Sequence, residues 1–211
     1  MKEPLRIENR PWTRVEGIFN SNYNINNIPA KENFKTVLYT GNIDERYGII
    51  TLIEAFRLIN DENYRLWIRG NGSTMKYIIE AEKKDSRITY FNEMSRPELM
   101  ILQKKATVLI NPVSSTELFT RYFFPSKTMD YMASGTPTIM TKLKSIPTEY
   151  LDYVYLAEND DSEGLKKIIV EVCSKNQSEL DEFGKKASQF IMKEKNAYKQ
   201  VRKIYDMISK L

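Results

Sequence analysis

From Phe34 onward, short apolar runs alternate with longer stretches in which apolar residues recur every three or four positions. The short runs predict strands at 36–39, 65–68, 87–91, 108–111, 138–140 and 153–156. The longer stretches predict helices at 49–59, 73–82, 96–105, 126–134, 163–174, 179–192 and 197–211. In the first of these, Ile49, Leu52, Ile53 and Phe56 fall on one face. Ser73 and Ser126 stand where a helix N-cap belongs. Ser95 does so with Pro97 in the first turn and Glu98 completing a capping box. Gly135 fits the position just past a helix end. Residues 1–33 carry Pro4, Pro11, Pro29 and many Asn with little periodicity, so they read as a lead-in with one short strand at 15–19. The pattern divides the chain into this lead-in, an α/β domain over 34–195, and a C-terminal helix over 196–211.

Strands that alternate with helices through short loops imply parallel βαβ units. Right-handed crossovers then give a single Rossmann-like, doubly wound parallel sheet with helices on both faces. In that topology every strand-to-helix loop lies on the carboxyl edge of the sheet, where ligands bind. Four loops are of interest there. Gly41-Asn-Ile-Asp-Glu-Arg-Tyr-Gly48 permits close backbone approach, and Arg46 could reach an anion, although an ordinary turn with a surface Arg reads the same way. The loop lacks the GxGxxG dinucleotide fingerprint. Gly70-Asn-Gly72 could turn backbone amides toward a ligand or simply end a strand. Ser126 and Lys127 open a helix whose free N–H groups suit a phosphate, and Asp130, about one turn later, could accept two hydrogen bonds from a ribose diol. The plain alternative is an N-cap serine and a dipole-complementing Asp. The connection before that helix is long, a frequent mark of function, and carries Glu117, Thr120, Arg121 and Tyr122. The run Tyr122-Phe-Phe124 could anchor it to the core.

Composition removes several classes. The 211 residues are 41% apolar and 28% charged, ordinary for a globular protein. Histidine is absent, which excludes histidine triads, histidine bases and histidine metal sites. With one cysteine, Cys173, a transition-metal centre and a disulfide framework are not expected either. Cys173 lies in an apolar-periodic stretch and reads as packed. The net charge of +4 is spread along the chain rather than gathered as in a nucleic-acid binder. No run approaches the ~18 apolar residues that span a bilayer, and Met1-Lys-Glu-Pro opens without an apolar signal core. A cytoplasmic protein is expected.

The ordered set of motifs resembles the C-terminal, donor-binding half of retaining GT-B glycosyltransferases of the family 4 type. It comprises Leu38-Tyr-Thr-Gly-Asn-Ile43, Gly48-Ile, Leu52-Ile-Glu-Ala-Phe56, Leu66-Trp-Ile-Arg-Gly-Asn-Gly72, Arg87-Ile-Thr-Tyr-Phe91, Ala106-Thr-Val-Leu-Ile-Asn-Pro112, Phe124-Pro-Ser-Lys127 and Asp130-Tyr-Met-Ala-Ser-Gly-Thr-Pro137. The Pro-Ser-Lys variant is similar to the branch that builds surface polysaccharides such as capsules. The resemblance implies a nucleoside-diphosphate sugar as substrate, with no resident cofactor or metal. It implies that Gly41, Gly70 and Gly72 allow backbone approach, that Arg46, Ser126 and Lys127 neutralise the diphosphate, and that Asp130 holds the ribose. Phe91, Asn92 and the residues to Met94 would lie by the nucleobase, and Glu117 and Tyr122 would face the donor sugar. The family's paired glutamates fall on Tyr122 and Asp130, and its usual basic pair falls on Asn42 and Tyr47, so Lys127 or Arg121 would have to substitute.

A GT-B enzyme works in the cleft between two such domains, so the resemblance implies an N-terminal half that would bind the glycan or lipid-linked acceptor. A lipid-linked acceptor would bring the protein to the inner face of the plasma membrane. The isolated chain is then expected to be inactive. Val201, Ile204, Tyr205, Ile208 and Leu211 form an apolar stripe on the last helix, which in the family crosses back to the N-terminal domain; packing on its own domain is the alternative. Two rival functions stay open: a non-catalytic GT-B-like module that pairs with a separate glycosyltransferase half, and a nucleotide-sugar epimerase. The second is disfavoured by the missing histidines.

Overall fold

The structure, a computed structural model, describes residues 10–20 and 30–209. Among these, six parallel strands form one sheet in the order β3-β2-β1-β4-β5-β6. They are β1 (Lys35–Thr40), β2 (Tyr64–Arg69), β3 (Ile88–Phe91), β4 (Val108–Asn111), β5 (Thr138–Thr141) and β6 (Tyr155–Ala157). The helices are α1 (Ile49–Arg57), α2 (Met75–Lys84), α3 (Arg96–Lys105), α4 (Lys127–Ser134), α5 (Ser162–Cys173), α6 (Gln177–Glu194) and α7 (Ala197–Ile208). The strand order reverses between β1 and β4, so the crevice outside their carboxyl ends is the expected ligand position.

The burial of each strand follows its place in the sheet. Central β1 is covered on both faces, and Val37, Leu38 and Tyr39 are wholly buried. Val37 and Tyr39 join a core with α1, α2 and α5, whereas Leu38 points to the opposite face with Leu102, Leu109 and Tyr131. β2, one strand outward, alternates: Leu66 and Ile68 are buried, and Trp67 is half-buried against Phe91. α3 starts as expected, with Ser95 N–H donating to Glu98 Oε2 at 2.7 Å and Ser95 Oγ accepting from Glu98 N–H at 3.4 Å.

Four sequence expectations are corrected. The strand expected at 153–156 forms as β6 but starts two residues later, because a 3-10 helix over Thr148–Tyr153, with Tyr150 buried against Phe124 and Phe190, precedes it. The strand expected at 15–19 shrinks to one bridge, where Phe19 pairs with Asn196 and its N–H donates to Lys195 O at 2.8 Å. The first helix after β2 begins at Met75 without a side-chain cap, because the Ser73 hydroxyl is engaged elsewhere. Ser126 makes no side-chain cap either, since its backbone is already helical (φ −53°, ψ −33°). Cys173 is buried as read.

Lys195, between α6 and α7, is wholly buried. Its ammonium lies 2.5 Å from Glu149 Oε1 and 3.4 Å from Glu16 Oε2, stitching the lead-in to the α6–α7 junction. α7 beyond it buries Gln200 but leaves Tyr198 73% and Tyr205 64% exposed, along with Val201 and Ile208.

Candidate functional site

The loops at the carboxyl edge do gather on one rim. After β1, Gly41 N–H donates to Arg69 O at 3.0 Å and Ile43 N–H to Asn71 O at 3.1 Å, so the first loop is zipped to the second. Asp44 tightens the seam by accepting from Ser73 N–H at 2.7 Å and Ser73 Oγ at 2.8 Å. Those bonds, the backbone one foremost, hold its carboxyl below the usual range. The third loop leans on the second: Tyr90 Oη donates to Gly70 O at 2.8 Å and an Arg69 guanidinium N–H to Met94 O at 3.5 Å. Phe91 is half-buried against Trp67, and Asn92 beside it is exposed.

This seam gives two of the glycines a structural reason of their own. A Cβ on Gly70 would lie 1.7 Å from Gly41 O, and one on Gly72 would lie 2.8 Å from Asp44 Oδ1. Both must be small because loop meets loop there, a demand that stands whether or not a ligand approaches. Gly41 is different. It adopts φ +133°, and the nearest atom to its missing Cβ is Lys127 Nζ at 3.3 Å.

Lys127 is the first residue of α4, and its side chain runs back under the rim. The ammonium sits 4.0 Å from the centre of the Tyr39 ring and 5.8 Å from that of Tyr47. It is buried and has no hydrogen-bond partner among the described residues. Burial pushes its pKa down to about 7. The helix start beneath it is fixed from inside: Thr40 N–H donates to Tyr131 Oη at 2.7 Å, and Tyr131 Oη–H donates to Thr40 O at 2.8 Å. One buried hydroxyl thereby serves both backbone groups at the end of β1 and locks α4 to that strand. Asn111, at the end of β4, donates through Nδ2 to Thr128 Oγ1 at 3.3 Å.

The remaining candidates are distributed around this point. Asp130 does not share Lys127's seat. Its side chain, 54% exposed, lines the open groove between α3, α4 and α6, a space of about 250 Å³, with Arg96 3.8 Å away. Partial burial there raises its pKa, with Arg96 opposing. Arg46 is drawn sideways, its guanidinium 5.1 Å from the Tyr47 ring centre and 5.7 Å from that of Phe119. Ser126 is exposed beside the rim. In the loop after β4, Glu117 precedes a 3-10 turn over Leu118–Arg121, Arg121 is exposed, and Tyr122 is 57% exposed. Of the Tyr122-Phe-Phe124 run, Phe124 packs on Tyr150 and Phe123 on Phe119, while Tyr122 stays outside.

Sequence reasoning missed Tyr39, Tyr131 and Asp44. The two tyrosines stand within apolar runs and read as core. Asp44 was visible inside the first loop, but its partner Ser73 lies 29 residues away.

Against this geometry, the comparisons with known proteins agree. The family model described as glycosyl transferases group 1 matches residues 21–207. The chain belongs to that family. Among curated protein sequences, none matches it. Similar solved structures include a mutant of S. aureus TarM (TM-score 0.69, 18% identity, covering 88% of this chain and 38% of that one). Anabaena HepE, in complex with UDP and glucose, gives TM-score 0.66 and 16% identity over 85% of this chain and 49% of that one. The C-terminal domain of the Francisella tularensis group 1 protein LpcC gives TM-score 0.62 and 17% identity over 80% of this chain and 89% of that domain. The chain thus spans about half or less of the first two and nearly all of the third. The fold is the expected one, the Rossmann-like C-terminal domain of a GT-B group 1 glycosyltransferase.

Proposed function

We propose that this chain supplies the donor site of a retaining glycosyltransferase that moves a sugar from a nucleoside diphosphate to a glycan or lipid-linked acceptor in surface-polysaccharide synthesis. The observation that carries the reading is Lys127: a buried ammonium without a hydrogen-bond partner among the described residues, at a helix N-terminus, against Gly41. A diphosphate over that seat meets a cation and the free N–H groups of α4 together. Ser126 adds a hydroxyl. Arg46 and Arg121 add positive charge at the margin, in place of the basic pair replaced by Asn42 and Tyr47. Asp130 takes the ribose, Phe91 and Asn92 border the base, and Glu117 and Tyr122 face the sugar.

In the transfer, the bond from the anomeric carbon to the diphosphate oxygen breaks and its electron pair leaves with the nucleoside diphosphate. The acceptor oxygen bonds to the same face of that carbon and passes its proton to the departing diphosphate. Lys127 and the helix amides stabilise the charge that grows on the leaving diphosphate, an electrostatic form of catalysis. The exposed Tyr198, Val201, Tyr205 and Ile208 of α7 fit an N-terminal half that brings the acceptor. Work in the cytoplasm, at the membrane when the acceptor is lipid-linked, completes the proposal; among the described residues no helix is long and apolar enough to cross a membrane.

Calorimetric titration with UDP, GDP and ADP tests the site: one of them binds, and Lys127→Ala removes the binding. The non-catalytic module is favoured by one observation, the capture of Arg46 by aromatic rings. Failure of all three nucleotides to bind would select it.

A further inference from the structure

We infer that Asp160 is a positioning residue that holds the long loop after β4 over the donor sugar. The inference rests on the donor-site reading above. Residues 112–126 form an extended connection, and such a loop keeps one shape only if its limbs are tied. Its outgoing limb is tied by a side chain from two strands away. Asp160, in the turn after β6, accepts through Oδ2 from Ser114 Oγ at 2.8 Å and from the Ser115 backbone N–H. Ser114 Oγ relays the tie, lying 2.8 Å from Thr116 Oγ1 and accepting from Thr116 N–H at 3.2 Å. The returning limb is tied separately, where Ser145 Oγ donates to Phe123 O at 2.7 Å. Between the ties, Thr120 is buried and its hydroxyl donates to Glu117 O at 2.6 Å, which sets the turn that presents Glu117, Arg121 and Tyr122.

Partial burial opposes ionisation of Asp160, but the bonds from Ser114 and Ser115 prevail and hold its carboxyl below the usual range. The tie is therefore charge-assisted at neutral pH. Among the described residues the hydrogen bonds of Asp160 go to Ser114 and Ser115 and to none of Gly41, Ser126 and Lys127, which form the diphosphate seat; of the groups assigned to the diphosphate, only Arg121, at its margin, rides on the tied loop. Loosening the loop should cost the sugar its contacts and leave most of the nucleotide's grip, which Lys127 and the amides of α4 supply, in place.

The test uses the 211-residue chain and the pair it binds, UDP with UDP-glucose or GDP with GDP-mannose. Asp160→Ala should leave the nucleoside-diphosphate affinity within about twofold and lower the nucleotide-sugar affinity about tenfold, the fold-change of one charge-assisted hydrogen bond. Amide exchange at 114–122, followed without nucleotide, should speed by about tenfold or more while β4 keeps its protection. Asp160→Asn, which keeps an acceptor oxygen, should restore part of both. Equal losses for nucleotide and nucleotide-sugar would overturn the inference, as would unchanged exchange in the loop. A wild-type chain that binds neither member of any pair overturns the donor reading itself, and the exchange data distinguish that failure because they need no nucleotide.

Discussion

The rim has a floor and a crest, and they are built on opposite principles. The floor comprises Gly41, the Gly70–Gly72 turn and the start of α4. It is zipped by backbone hydrogen bonds, closed by Asp44 and Tyr131, and holds a buried cation without a hydrogen-bond partner. The crest, Leu118–Tyr122, is anchored by buried Thr120 and by Phe119 against Tyr47 and Phe123 and tied at its limbs, but Leu118 and Tyr122 stay outside, 68% and 57% exposed. A buried ammonium without a hydrogen-bond partner costs stability, and its presence in the most densely hydrogen-bonded part of the rim is what the proposed anion seat on the floor rests on. Little of the fold depends on the exposed tip, so under the proposed function the crest is free to vary with the sugar.

Gly70→Ala should break this contrast most severely. The added Cβ meets the Gly41 carbonyl, which is backbone and cannot turn aside. A loss of about 3 kcal/mol or more in denaturant unfolding is expected, at or above the upper end of overpacking costs. Lys127→Met should separate function from stability. Nucleoside-diphosphate affinity should fall ~10–100-fold, the worth of a charged hydrogen bond. The melting temperature should rise, because a desolvated charge has been removed. Tyr131→Phe leaves Thr40 N–H and C=O buried without their partner and should cost about 1–3 kcal/mol in the same unfolding assay. Arg46→Ala should do least, lowering nucleotide affinity by less than about fivefold, since its exposed stacking on Tyr47 and Phe119 is worth only ~0.5–1 kcal/mol. A larger effect would move Arg46 from the margin to the floor.

The sheet was legible because its pattern is local. Apolar runs of strand length, helical stripes and the Ser95–Glu98 box each declare themselves within a few residues, and the carboxyl-edge convergence follows from parallel topology. What was not legible depends on distance. Gly70 and Gly72 looked like ligand-facing glycines because nothing near them in sequence announces Gly41 O or Asp44. The 3-10 helix before β6 was not legible because it turns on Tyr150 meeting Phe124 and Phe190, residues distant in sequence. Lys127 was legible as a helix-start cation. Its burial against Tyr39 was not, since that depends on β1 and α4 meeting across the sheet.

The most direct test of the floor as an anion seat is nucleoside-diphosphate affinity as a function of pH. With a folded pKa of about 7, against an ordinary value near 10.5, free Lys127 loses its proton above neutral pH while the unfolded chain keeps it. Binding a diphosphate must restore that proton. Wild-type affinity should therefore fall from pH 7 to 9 by up to about tenfold per unit, with proton uptake visible as a buffer-dependent heat, and Lys127→Met should show neither. A pH profile shared by wild type and Lys127→Met, or undiminished affinity in the variant, would contradict the account.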